Sequence, residues 1–186
     1  MAPALHTSYV FSLAIKIGAP IVAGDLGYGV RRIIPILGGE VRGPGLKGTI
    51  FPCGADFQTI RPNGFTELEA KYAFEMDDGA IVYIENIGIR FGPKPLLDRI
   101  ASGEIVDPGQ IYFRSVPRFE TGAANYRWLM ENLFIGVGAR HPDRVEIDVH
   151  QVLCSFLTLQ GRVRKPPLQL CKGPQLVDSF QIRYKT

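Results

Sequence analysis

The sequence predicts an all-β protein, a closed antiparallel barrel of roughly eight strands with one short helix. Between Gly38 and Tyr83 the turn-forming clusters Gly38-Gly39, Gly43-Pro44, Cys53-Gly54-Ala55-Asp56, Arg61-Pro62-Asn63-Gly64 and Asp77-Asp78-Gly79 recur too closely for helices to fit between them. The segments they separate are short and rich in Ile, Val, Phe and Tyr, the residues of half-buried strands. Within 66–76 the alternation is strict: Leu68, Ala70, Tyr72, Phe74 and Met76 take one side, and Glu67, Glu69, Lys71 and Glu75 take the other. A sheet that closes on itself leaves no unpaired edge, and it places function in the lumen or at its mouth.

The first strand is expected at 9–16. Ala19-Pro20 then cuts the chain, and the cluster Asp25-Leu26-Gly27-Tyr28-Gly29 reads as a turn before a strand at 31–41. Strands follow at 46–51, 57–61, 66–76 and 80–89, the last two joined by a hairpin at Asp78-Gly79. Pro93-Lys94-Pro95 opens a short helix through Leu96, Leu97 and Ile100 that stops at Gly103. Strand 110–116 leads into an irregular passage through Pro117 to Gly122, and 123–131 can form a helical turn. Strands at 133–137 and 144–153 complete the sheet; in the last, Val145, Ile147 and Val149 face in while Glu146, Asp148 and His150 face out.

A chain of 186 residues suits one domain, assigned to 1–153. Six of its basic residues, Arg162, Arg164, Lys165, Lys172, Arg183 and Lys185, stand against the single acid Asp178 in 154–186, a basic extension broken by Pro166-Pro167 and Gly173-Pro174. Dispersed charges without interleaved aromatics describe a solvated extension rather than a nucleic-acid arm. Its one strand-capable stretch, 176–184, could swap between subunits and make a homodimer. No apolar run approaches the roughly 18 residues that span a bilayer, and the first eight residues lack a signal peptide's charged head and apolar core. The expectation is a cytoplasmic protein without membrane association.

Cys53, Cys154 and Cys171 form no CxxC pair and leave one thiol over, and His6, His141 and His150 are scattered, so neither a disulfide framework nor a metal site is expected. No nucleophile elbow, phosphate loop, dinucleotide fingerprint or HExxH helix is present, and no cofactor is implied.

What remains is a set of polar residues on strands. Asp56 and Gln58 share parity about 7 Å apart; the pair can hold and deprotonate an acidic hydroxyl, or Asp56 can cap the Gly54-Ala55 turn. Asn86 and Arg90 share parity with Val82, Ile84 and Gly88, placing them on a partly apolar face. Tyr112 shares parity with Arg114, and Arg118 and Glu120 flank Phe119. If the barrel brings Asp56 or Glu120 near Arg114 or Arg118, the arginine would lower the acid's pKa and offer donors to an oxyanion; otherwise each pair is a salt bridge. Trp128, the sole tryptophan, could stack on a flat ligand at one mouth.

In order along the chain, Arg32-Ile33-Ile34-Pro35-Ile36-Leu37-Gly38-Gly39, Gly43-Pro44, Gly54-Ala55-Asp56-Phe57-Gln58, Asp77-Asp78-Gly79-Ala80, Asn86-Ile87-Gly88-Ile89-Arg90, Tyr112-Phe113-Arg114, Pro117-Arg118-Phe119-Glu120-Thr121, Tyr126-Arg127-Trp128-Leu129 and Phe134-Ile135-Gly136-Val137-Gly138 resemble the UPF0311 or DUF3237 proteins over about 9–153. The resemblance implies an eight-stranded antiparallel barrel. Fungal members are similar to cofactor-free cyclases of aromatic polyketide pathways, which close an oxygen ring by adding a phenol hydroxyl across an alkene. Segment 154–186 departs from the pattern.

Two readings follow. In the first, a cofactor-independent cyclase or isomerase binds an aromatic, oxygenated small molecule; Asp56 or Glu120 serves as general base or acid, Arg114 and Arg118 stabilise phenolate or enolate charge, and Gln58, Tyr72, Asn86, Arg90, Tyr112 and Trp128 bind the substrate. In the second, the barrel carries or senses a hydrophobic ligand without reacting with it.

Overall fold

The structure, a computed structural model, describes residues 4–153. The expectations for 154–186, the basic extension and its strand exchange, lie outside the described residues. Ten strands are formed: β1 (His6–Ile17), β2 (Ile21–Asp25), β3 (Val30–Gly43), β4 (Leu46–Ile50), β5 (Ala55–Ile60), β6 (Thr66–Met76), β7 (Ile81–Phe91), β8 (Tyr112–Glu120), β9 (Phe134–Arg140) and β10 (Arg144–Leu153). All pairings are antiparallel, and β1 pairs both β10 and β3, so the sheet closes.

The barrel has eight staves because two of them are interrupted. β3 spans its height: the first half of β3 pairs β2 and β5, and the second half pairs β1 and β4. β1 and β2 are thus one stave broken at Gly18-Ala19-Pro20, where Pro20 cannot donate to the ladder. β4 and β5 are another, broken at 51–54. Strand β2, read from the sequence as part of the cut and turn around Ala19-Pro20 and Asp25, is a strand after all; its short run Ile21-Val22-Ala23 is exposed, which removes the alternation a sequence reading depends on.

At the second break Gly54 has φ +78°, and a Cβ there would lie 1.9 Å from the Lys71 carbonyl oxygen. Backbone, not a flexible side chain, is the obstacle. Gly54→Ala is expected to destabilise the fold by about 2 kcal/mol, read as a lower urea midpoint at unchanged m-value. An unaltered midpoint would mean that the break relaxes freely.

In β3 the inward positions Ile34 and Ile36 are even-numbered, whereas Val41 is odd. The switch occurs between Ile36 and Gly38, where Leu37 is the extra residue opposite the step from Lys16 to Ile17 in β1. A one-residue bulge turns every later side chain to the other face.

The two poles of the lumen differ. At one, Phe119 meets Phe11, Phe74 and Phe134 edge to face at ring-centroid distances of 5.8, 6.4 and 5.3 Å. A 3₁₀ turn (Ala124–Leu129) closes this pole: Leu129 is buried, and Trp128 lies 5.9 Å from Phe134. The other pole gathers the ends of β5, β7 and β9 and the starts of β3, β6, β8 and β10. There α1 (Lys94–Ala101), in the β7–β8 connection, brings Leu97 close over Gly64 of the β5–β6 turn. No helix among the described residues is long and apolar enough to cross a membrane.

β8 also differs from expectation. It continues through Pro117 and Arg118 to Glu120, where the sequence suggested an irregular passage. The ladder between β8 and β9 holds only at Arg114 opposite Val137 and Ser115 opposite Gly136, so Pro117 sits where no bond to β9 is required.

Candidate functional site

Parity places the polar residues. On β5, Asp56 lies opposite Ile34 and Ala70, and Gln58 opposite Arg32 and Leu68, so both point into the barrel with their apolar neighbours. Asn86 and Arg90 are inward on β7, at 6% exposure each, and Tyr72 is inward on β6. Four of the five, Asp56, Gln58, Tyr72 and Asn86, line a cavity of about 40 Å³ together with Ser115 and Arg140, and Arg90 lies within electrostatic reach of Asp56 at the same pole.

A directional chain of hydrogen bonds runs through it. Arg32 donates from a terminal nitrogen to Gln58 Oε1 at 2.9 Å, and Gln58 Nε2 donates to Asp56 Oδ2 at 2.6 Å. The Glu69 backbone N–H donates to Asp56 Oδ1 at 3.2 Å. Gln58 is held in one amide orientation, oxygen to the cation and nitrogen to the anion. Asp56 accepts from Gln58 and from the Glu69 amide, and it makes no hydrogen bond to the Gly54-Ala55 turn.

Electrostatics set the protonation states. Burial pushes the Asp56 carboxyl above its ordinary range, against the opposing pull of the Gln58 bond, Arg90, the Glu69 amide and Arg32. The Tyr72 phenol is pushed far up by burial and by the Asp56 charge, so it remains a hydroxyl. Arg90 is brought down to about 10 by burial and by Arg32 beside it. Arg32 and Arg140 are lowered too, in each case first by burial.

Several buried polar atoms here have no hydrogen-bond partner: Tyr72 Oη, Asn86 Oδ1, Ser115 Oγ and the Nε atoms of Arg32 and Arg90. Each costs about 1–3 kcal/mol when left unmatched. All of them belong to residues gathered at this pole.

Room for that chamber comes from β9. A Cβ at Gly138 would meet the Phe113 ring at 2.4 Å and one at Gly136 would meet Ser115 Oγ at 2.3 Å, so the glycines admit these side chains against the wall.

The remaining expected residues lie elsewhere. On β8 the inward residues are Phe113, Ser115, Pro117 and Phe119, which turns Tyr112, Arg114, Arg118 and Glu120 to the outer surface. Tyr112 stacks on Phe91 at 4.7 Å; Arg114 lies over the Tyr112 ring and donates to the Phe113 carbonyl oxygen at 2.8 Å. Arg118 and Glu120 are exposed opposite Glu85 and Tyr83. Asp56 faces the lumen while Arg114, Arg118 and Glu120 all face outward, and among the described residues neither acid forms an ion pair with either arginine. Trp128 packs against Phe134 at the aromatic pole.

Two chamber residues were missed, Arg32 and Arg140. Arg32 shares parity with Ile34 and Ile36, and Arg140 with Phe134, Gly136 and Gly138; the same alternation test would have found both. Among the described residues no group of His, Cys, Asp and Glu could hold a metal ion.

Comparison with known proteins gives the following. A family model described as "Protein of unknown function (DUF3237)" matches residues 5–152. A UPF0311 protein of Rhodopseudomonas palustris (strain TIE-1) is 65% identical over 153 residues, 82% of this chain and 100% of the relative. The crystal structure of a conserved protein of unknown function from Rhodopseudomonas palustris superposes with a TM-score of 0.80 at 64% identity, covering 82% of this chain and 100% of that one. A structure described as an enzyme from Penicillium herquei aligns with a TM-score of 0.62 at 16% identity over 82% of this chain and 98% of its own, which shows a common fold.

Proposed function

This chain belongs to the DUF3237 family, and on that footing we propose that its barrel is a cofactor-independent enzyme that moves a proton within an oxygenated small molecule, leading to isomerisation or ring closure. The observation that carries the reading is the Asp56 carboxylate, lining the cavity, held in one geometry by Gln58 and the Glu69 amide and lifted above its ordinary range by burial. The fold is shared with a fungal protein described as an enzyme, which supports the scaffold and says nothing of these residues.

Asp56 takes a proton from an acidic O–H or C–H of the substrate. The electron pair left behind becomes a phenolate or enolate, stabilised by the chamber's arginines. For ring closure the phenolate oxygen bonds to the far carbon of a conjugated alkene, the alkene pair moves onto the carbonyl oxygen, and Asp56 returns the proton to the adjacent carbon. No electrons are gained or lost overall. Tyr72 donates its hydroxyl hydrogen, Asn86 accepts through Oδ1, and the two orient the substrate. A cavity of about 40 Å³ takes the reacting, oxygen-bearing end, with the rest of an aromatic body at the mouth. We place this chemistry in the cytoplasm, where the exposed thiol of Cys53 stays reduced.

An ortho-hydroxyphenyl enone tests the reading. Loss of its enone absorbance should accelerate over buffer with the parent protein and fall back by about a hundredfold or more with Asp56→Asn. Binding of the enone without any acceleration would identify a carrier instead.

A further inference from the structure

Three guanidinium groups enter the polar pole from three different staves: Arg32 from β3, Arg90 from β7 and Arg140 from β9. They lie within electrostatic reach of one another and of Asp56, the acid in the cavity wall. None of the three forms a salt bridge among the described residues. Their hydrogen bonds are few: Arg32 to Gln58 Oε1, Arg140 to the Arg144 carbonyl oxygen at 3.4 Å, and none at Arg90 Nε, although Arg90 is only 6% exposed. Buried cations are ordinarily matched by as many anions. Here Asp56 faces all three and Asp143 reaches only Arg140, so the excess is still positive.

The rest of the cavity narrows the choice of anion. Its wall is mostly aliphatic, from Ile15, Ile34, Ile36, Leu68, Val145 and Ile147, and it holds none of the glycine-rich backbone cradle that phosphates use. A flat, singly charged head with an apolar body fits such a wall, and guanidinium forks match its two oxygens.

We propose that the chamber is an anion site and that the molecule it serves carries one carboxylate, held among Arg32, Arg90 and Arg140, with its apolar part against the aliphatic wall. This rests on the proton-transfer reading for the role of the bound molecule as substrate, but not for its binding. A substrate of this kind places the acidic O–H or C–H beside Asp56 while its own carboxylate meets the cations. The class is an unsaturated, oxo- or hydroxy-substituted monocarboxylic acid.

The test uses the full chain and defined probes. Acetate and benzoate are titrated by calorimetry and thermal shift against the neutral amides acetamide and benzamide, and against inorganic phosphate. The carboxylates should bind and raise the melting temperature, while the amides should not. Asp56→Asn, which removes the negative charge, should tighten carboxylate binding by about tenfold or more. Arg140→Gln, at the half-exposed rim, should weaken it by about the same factor, and Arg90→Met should abolish it.

The proposal is overturned if folded parent and Asp56→Asn proteins both ignore the carboxylates, or if amides bind as well as acids. Tighter binding of phosphate than of either carboxylate overturns the assigned class. Carboxylate binding without any Asp56-dependent turnover of the enone or of oxo acids would sink the enzyme reading and leave the site standing. Turnover without carboxylate binding would do the reverse.

Discussion

Asp56→Asn is expected to abolish proton transfer, by about 10²- to 10⁴-fold, in a protein no less stable than the parent at neutral pH. The two effects share a cause. Burial raises the Asp56 carboxyl in the folded state, so folding works against its ionisation. A group whose folded pKa lies above its unfolded value contributes stability that is complete below the unfolded value, about 3.9 for Asp, and is lost as pH rises through the folded one. The parent should thus weaken from acid toward neutral pH, and the asparagine variant should lack that part of the decline. An amide at this position keeps its acceptor for the Glu69 N–H but turns a donor toward Gln58 Nε2, a mismatch worth about 1 kcal/mol that partly offsets the gain. Urea unfolding of both proteins across the acid-to-neutral range reads the difference. A variant clearly less stable at neutral pH would make Asp56 a structural partner instead of a base.

Phe119→Ala is expected to cost about 3–5 kcal/mol, the largest stability loss of any single truncation considered, because its ring touches three others at once and little around it can collapse into the void. Edge-to-face pairs add about 0.5–1.5 kcal/mol each beyond buried area. Set against a total of about 5–15 kcal/mol for an ordinary domain, the variant should unfold about 6–20 °C early or fail to accumulate. A shift of only a degree or two would mean that the aromatic pole repacks readily and does not anchor the barrel.

Much of the wall was legible in the sequence because alternation is a local property. Leu68 to Met76 on β6, Val82 to Arg90 on β7 and Val145 to Val149 on β10 all face as their parity says, and with them Asp56, Gln58, Tyr72, Asn86 and Arg90. What was not legible needed information from across the sheet. Tyr112, Arg114, Arg118 and Glu120 form one consistent face of β8, and which face looks inward is decided by Phe113 and Ser115 finding room against Gly138 and Gly136 and by Phe119 joining the aromatic cluster. Pro117 resembles a strand breaker until its neighbour is known to be unpaired on the β9 side. The bulge at Leu37 reverses parity within one strand, so no single phase describes β3. Arg32 lies before that bulge and follows the simple rule; it was passed over because a cation flanked by Arg31 and Ile33 looks like solvent-facing decoration.

The separation of the two poles along the barrel axis has a consequence for how such a molecule can change over time. Rings that secure the structure sit at one end and ionisable groups at the other, with the long staves between them. Replacing a cation or acid at the ionisable pole removes little of the aromatic packing that secures the other, so side-chain chemistry can change there without first acquiring compensating substitutions elsewhere. The scaffold is in that sense permissive: one frame can carry many different polar ends.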